Sequence, residues 1–202
     1  MKPIVFIYHS VLGIRGSELN LSEVIKKEGF DVIIPDLYEG KKFDDYKTAM
    51  AFLGTFGEDG LEKKAYEMFE EEHKKNGKKP VIFIGFSNGC NLAEWLSLKI
   101  PETVGTILLH GGMSVKMFGY EGWPSNLPIQ IHYSKEDPWK LEDEEILQEF
   151  LNEIENSGAK LEFYEYEGEG HLFSDPELLL EYNDIETQNM YEKVKGFLSN
   201  FK

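Results

Sequence analysis

Apolar residues in this chain gather into short continuous runs, separated by longer stretches in which they recur every three or four positions. The runs are Ile4–Tyr8, Asp31–Pro35, Val81–Phe86, Thr103–Leu109, Ile129–Tyr133 and Lys160–Tyr166. Runs this short and rich in β-branched and aromatic residues predict strands. Where they are apolar throughout, the strand is covered on both faces. Between the runs, Leu61, Ala65, Met68 and Phe69 share one face of a helix. Ile146, Leu147, Phe150, Leu151 and Ile154 share another, as do Tyr191, Val194, Phe197, Leu198 and Phe201. Asp59, three residues before Glu62, and Asn183, three before Glu186, mark two helix starts. Strand and helix in alternation predict an α/β fold: about six mainly parallel strands with helices on both faces. No linker or repeat divides the chain, so one domain over residues 1–202 is expected. In such sheets ligands bind beyond the carboxyl ends of the strands, so functional residues are sought directly after strands.

Composition narrows the partners. A formal net charge of −16 over 202 residues would repel nucleic acid and anionic membrane, so neither is expected as a partner, and solubility is the plain reading of the charge. The single cysteine, Cys90, excludes an internal disulfide and fits a reducing compartment. No apolar run has the length of a signal-peptide core or a membrane span, so a cytoplasmic location is expected. No zinc-protease helix, paired Cys-x-x-Cys, phosphate loop or dinucleotide fingerprint occurs, and no metal or cofactor is expected.

The strongest chemical signal follows the third strand. Val81–Ile84 runs into Gly85-Phe86-Ser87-Asn88-Gly89, and a helix with Leu92, Trp95 and Leu96 on its apolar face comes next. This is the Gly-x-Ser-x-Gly nucleophile elbow in its strand–turn–helix setting. The turn is so tight that side chains at either glycine position would meet neighbouring backbone. Ser87 is therefore the candidate nucleophile, at a helix amino terminus that favours developing negative charge.

The order of such a triad is serine, acid, histidine. After Ile129–Tyr133 comes Ser134-Lys135-Glu136-Asp137-Pro138. The proline holds Asp137 out of helical geometry just past a strand end, which favours Asp137 over Glu136 as the acid. After Lys160–Tyr166 the glycine-bearing segment Glu167–Phe173 presents His171, placed by order as the base. Of the other histidines, His73 is expected on an exposed helix face and His132 packed within a strand, while His9 and His110, which follow strands, are candidates to line the pocket. The oxyanion would be held by the backbone N–H of Asn88 and by a second donor in His9–Gly13, with Val11 favoured and Ser10 the alternative. Leu12 is a candidate pocket wall, and Cys90, inside the helix, is expected to pack.

These residues resemble the dienelactone hydrolase family of α/β-hydrolases. The likeness runs through nearly the whole chain and rests on His9–Gly13, Gly85–Gly89, Asp137-Pro138 and Gly170-His171-Leu172-Phe173-Ser174-Asp175, continued by Tyr182 and Asp184. It implies a trimmed α/β-hydrolase fold beginning at the equivalent of the third strand, a Ser-His-Asp triad and a hydrolytic role. The sequence departs from the family's name-giving enzymes in three ways: Ser87 stands where they use cysteine, Ser10 where they carry glutamate, and Arg15 is the one arginine where they bind a substrate carboxylate with several.

Two long segments are expected over the site. Asp36–Gly60 carries Tyr38, Phe43, Tyr46, Phe52 and Phe56, with a helix near Phe43–Leu53; His110–Leu127 carries Met113, Met117, Phe118, Tyr120 and Trp123. Met113 and Trp123 are candidates for substrate contact, with closure of the core as the other reading of these side chains. The function expected is cleavage of a small carboxylic ester, lactone or thioester through an acyl-serine. The alternative is an idle α/β-hydrolase domain that binds a ligand or partner.

Overall fold

β1 (Ile4–Tyr8) is apolar and buried along its whole length, as a central strand covered on both faces must be. It pairs in parallel with β2 (Asp31–Ile33) on one side and β3 (Val81–Phe86) on the other. β4 (Thr103–Leu109), β5 (Ile129–Ser134) and β6 (Leu161–Tyr166) follow, giving six parallel strands in the order β2-β1-β3-β4-β5-β6. This computed structural model describes residues 2–202. The chain leaves β1 toward β2 and returns to β1's other side as β3, and this reversal opens a crevice at the carboxyl ends of β1 and β3. β2 ends at Ile33 rather than Pro35. As an edge strand it is soon released, and the Asp36 carboxylate accepts the N–H groups of Tyr38 (3.1 Å) and Gly40 (2.7 Å) to turn the chain away.

Strand alternation sorts the helices into two layers. Phe6, Tyr8, Phe83, Ile131 and Tyr133 face one way and pack on α3 (Gly60–Lys75), α4 (Asn88–Lys99) and α6 (Glu144–Ser157), through Phe69, Leu96 and Phe150 among others. Val5, Ile7, Ile82, Ile84 and Ile107 face the other way and pack on α1 (Gly16–Lys27) and α7 (Asp184–Leu198), through Leu21, Ile25, Val194 and Phe197. α2 (Tyr46–Leu53) and the short α5 (Pro138–Glu142) lie over the carboxyl end of the sheet.

The helix starts have identifiable causes. Asp45 accepts the Thr48 N–H at 2.8 Å to open α2, and Asn183 accepts the Glu186 N–H at 3.2 Å to open α7. Asp59 precedes α3 as expected, but its side chain makes no cap and its backbone is left-handed (φ 58°). His73, expected on the surface, is only 3% exposed. It lies one turn beyond Phe69, stacks on that ring (centroids 4.8 Å apart) and holds its Nε2 2.7 Å from the Lys79 carbonyl oxygen. The apolar stripe of α3 thus extends one turn further than its charged neighbours suggest. No helix among the described residues is long and apolar enough to cross a membrane.

Candidate active site

Ser87 joins β3 to α4 with φ 49° and ψ −118°, a conformation that a non-glycine residue holds only under constraint. The constraint is visible on both sides. A Cβ on Gly85 would lie 2.3 Å from the Gly89 carbonyl oxygen, and one on Gly89 would lie 2.4 Å from that of Tyr8. The Ser87 N–H donates to the Leu109 carbonyl (2.8 Å), and the Ser87 carbonyl accepts from the Cys90 N–H (2.8 Å), so the turn is pinned from two directions. Cys90 is buried with its Sγ 3.2 Å from the carbonyl oxygens of both Gly85 and Leu109, and burial holds the thiol well above its ordinary range. It packs the elbow and takes no reactive position.

Asp137 ends the turn after β5 and caps α5, accepting the Trp139 N–H on Oδ1 at 2.9 Å, with Pro138 filling the first helical position. Its other oxygen, Oδ2, accepts from His171 Nδ1 at 2.7 Å, and Nε2 of the same ring stands 2.7 Å from Ser87 Oγ. Asp137 is 0% and His171 6% exposed, whereas Glu136, the rival acid, points to solvent. Ser87, Asp137 and His171 therefore meet as one hydrogen-bonded chain across the ends of β3, β5 and β6. A carboxylate can only accept, so Nδ1 carries the hydrogen and Nε2 is left to accept from the serine hydroxyl.

The histidine loop is built to hold this position. A Cβ on Gly170 would strike the Glu181 carbonyl oxygen at 2.3 Å. The Ser134 hydroxyl donates to the Gly170 carbonyl at 2.5 Å, and the Leu172 N–H donates to Glu181 Oε2 at 2.8 Å. Tyr46 from α2 donates its hydroxyl to the same carboxylate. The Trp139 indole stacks on the His171 ring with centroids 5.4 Å apart and planes 29° apart, and Tyr46 meets that ring edge-on at 6.0 Å.

The loop after β1 is anchored from below. The buried Glu18 carboxyl accepts the N–H groups of Ser10 (3.1 Å) and Arg15 (2.9 Å) and the Ser17 hydroxyl (2.8 Å). Burial pushes this carboxyl up to about 7, against those hydrogen bonds, which favour the ionised form. The Leu12 N–H donates to Ser10 Oγ at 3.2 Å. Ser10 and Leu12 thereby spend their N–H groups inside the protein. Those of Val11 and Asn88 have no protein partner among the described residues, and both residues border the same cavity as Ser87.

That cavity, about 250 Å³, is lined by Val11, Tyr46, Met50, Ser87, Asn88, Asn91, His110–Met113, Tyr133, Trp139, Lys140, Asp143, Ile146, Leu147 and His171. Met113 lies in the wall, its N–H held by the buried Glu94 (3.1 Å). Two other expected wall residues lie elsewhere. Leu12 is buried in a small cluster with Val11, Ala49 and Leu172. Trp123 is buried against Phe150 and donates its indole N–H to the Leu127 carbonyl (2.8 Å), so it closes the core beneath its loop. His110 borders the cavity in a left-handed conformation (φ 67°), and burial together with the nearby His171 and His132 holds it well below the usual histidine range. His9 does not border it: its ring meets Tyr38 edge-on, and Nδ1 contacts the Ser10 carbonyl oxygen. His132 is packed within the sheet as expected, between Gln130 and the Tyr166 hydroxyl, and burial pushes it down to about 3.

Among the contacts that sequence reasoning missed are Trp139, Glu18, Glu94 and Glu181 and, in the cavity wall, Met50, Ile146 and Leu147. Trp139 carried a signal, since it directly follows the Asp-Pro pair, and Glu94 carried one as a charge amid the apolar positions of α4. Among the described residues, no group of three or more His, Cys, Asp or Glu is arranged to hold a metal ion.

The family model described as "Dienelactone hydrolase family" matches residues 1–202. Protein YczH of Bacillus subtilis (strain 168) is 24% identical over 110 residues, 54% of this chain and 54% of that protein, so the match spans about half of each. Protein usf of Aquifex pyrophilus is 23% identical over 208 residues, 98% of this chain and 88% of its own. A dienelactone hydrolase-like promiscuous phosphotriesterase from metagenomic libraries superposes with a TM-score of 0.82 at 16% identity, covering 99% of this chain and 87% of that one. The carboxylesterase of Bacillus cereus gives 0.62 at 20% identity, covering 100% and 89%. With the six-stranded parallel sheet, these superpositions identify the α/β-hydrolase fold.

Proposed function

This chain belongs to the dienelactone hydrolase family, and from that premise we propose that it is a serine hydrolase cleaving a small carboxylic ester, lactone or thioester through an acyl-serine intermediate. The observation that carries the reading is the unbroken relay Ser87 Oγ to His171 Nε2 and His171 Nδ1 to Asp137 Oδ2, 2.7 Å at each step.

Ser87 Oγ attacks the carbonyl carbon while its proton passes to His171 Nε2. Asp137 fixes the ring tautomer and stabilises the imidazolium, and the stacked Trp139 face favours the same charge. The oxyanion forms against the Val11 and Asn88 N–H groups. It then collapses, the carbon–oxygen or carbon–sulfur bond breaks, and His171 returns the proton to the leaving atom. Water attacks the acyl-serine with His171 again taking a proton. The acid departs and Ser87 regains its hydroxyl. Support for Val11 as donor comes from Ser10, whose N–H is already spent on Glu18.

A fluorophosphonate probe tests this. The wild-type protein is expected to label at one site, detected by mass spectrometry of the peptide containing Ser87, and Ser87→Ala is expected not to label. A folded wild-type protein that stays unlabelled would favour a ligand-binding role over catalysis.

A further inference from the structure

Taking Ser87 as the nucleophile of the proposed hydrolase, we infer that this cavity selects uncharged substrates and turns away acyl groups that end in a carboxylate.

The wall beside Ser87 and His171 is mostly hydrocarbon and aromatic surface: Met50, Met113, Trp139, Ile146 and Leu147. Its polar floor is neutral. Burial keeps His110 from carrying a proton and keeps the Tyr133 hydroxyl from losing one, and both border the cavity. Both can hydrogen-bond a substrate, and neither can pair with an anion as a positive charge.

The cations nearby are committed elsewhere. Lys140 borders the cavity, but its Nζ is held by Glu165 and by the Lys135 carbonyl oxygen. Arg15, 1% exposed, spends its guanidinium on Asp175, Asp44, Glu177 and the Phe43 carbonyl.

The fixed charges that remain are negative. Asp143 stands on the rim, Asp137 lies behind His171, and Glu181 lies behind Tyr46. The amino terminus of α4 favours an anion, but only at the carbonyl oxygen, where Val11 and Asn88 can donate. A carboxylate at the far end of the acyl group would leave water for an apolar site without a partner and would face Asp143 as it entered.

The test compares p-nitrophenyl hexanoate with mono-p-nitrophenyl adipate, whose acyl chains have equal length and differ by a terminal methyl or carboxylate. The hexanoate is expected to have the higher kcat/KM by at least about 100-fold at low ionic strength. The ratio should narrow several-fold in about 0.5 M NaCl, which screens the rim charge. Asp143→Lys should narrow it by about fivefold or more at low salt, and Asp143→Asn by less. The Asn variant and the salt series carry the test if the Lys variant does not fold. Turnover of the two esters within about tenfold of each other, with Ser87 labelled by the fluorophosphonate, would overturn the selectivity and leave the hydrolase intact. Failure of both labelling and turnover would overturn the hydrolase reading, and the selectivity with it.

Discussion

Three donors converge on Glu18, and each favours its ionised form, yet burial wins and pushes the carboxyl up to about 7. The consequence for stability has a definite sign. An unfolded glutamate titrates near 4.5, so the folded chain holds this proton more tightly than the unfolded chain does. The contribution of Glu18 is therefore greatest below about pH 4.5 and is lost as pH rises through about 7. Glu18→Gln cannot titrate and offers one acceptor oxygen where two are used. We expect its unfolding free energy, from chemical denaturation, to lie below wild type at pH 5, with the gap narrowing by up to about 3 kcal/mol by pH 8. Parallel stability profiles across that range would contradict this account. In the sequence, Glu18 is one acidic residue among many in the first turn of a helix. Its role depends on folding back of the loop that carries Ser10. Trp139 is similar: its place after Asp-Pro was visible, but its stacking on His171 depends on β5 and β6 lying side by side.

At the scale of elements, the nucleophile turn is held by close backbone approach. A Cβ on Gly89 would meet the carbonyl oxygens of Tyr8 at 2.4 Å and His9 at 2.6 Å, both backbone atoms of the neighbouring strand's end. Gly89→Ala should therefore force β1 and α4 apart and cost more than about 3 kcal/mol in denaturant unfolding. Gly54→Ala is the contrast. At φ −58°, with nothing within 4 Å of its would-be Cβ, it should change stability by less than about 1 kcal/mol, in the stabilising direction. A loss for Gly89→Ala as small as that for Gly54→Ala would remove the steric explanation of the elbow. This element was legible in advance because its strand, turn and helix signals are contiguous. The length of β2 was not, because Asp36 and its loop, rather than hydropathy, end that strand.

Over the whole molecule, Arg15 binds together segments that are remote in sequence. Its Nε donates to Asp175 at 2.5 Å in the histidine loop, while Nη1 donates to the Phe43 carbonyl (2.7 Å) and Asp44 (3.1 Å) ahead of α2. Its N–H also reaches Glu18 below the β1 loop. The cluster thus connects the supports of the proposed oxyanion donors and the proposed base. Removing one partner strands the other, so Arg15→Met should destabilise by about 3–5 kcal/mol and leave Asp175 buried and unpaired. The double change Arg15→Met with Asp175→Leu should recover most of that loss, as measured by chemical denaturation. A double mutant as unstable as the single would show that the cluster's value lies in its hydrogen bonds rather than in charge balance. By itself, the sequence determined what is local: six strand positions, the helix faces, the strained turn at Ser87, and Asp137 and His171 each just beyond a strand. Periodicity and turn chemistry act over a few residues and need no partner elsewhere in the chain. Tertiary structure alone decided that Trp123 and Leu12 turn into the core, that His73 is buried, that Ser10 gives its N–H to Glu18, and that Arg15 is spent on Asp175. Each of those outcomes is a meeting across the sheet or between loops, settled by strand order and packing rather than by any neighbouring residue.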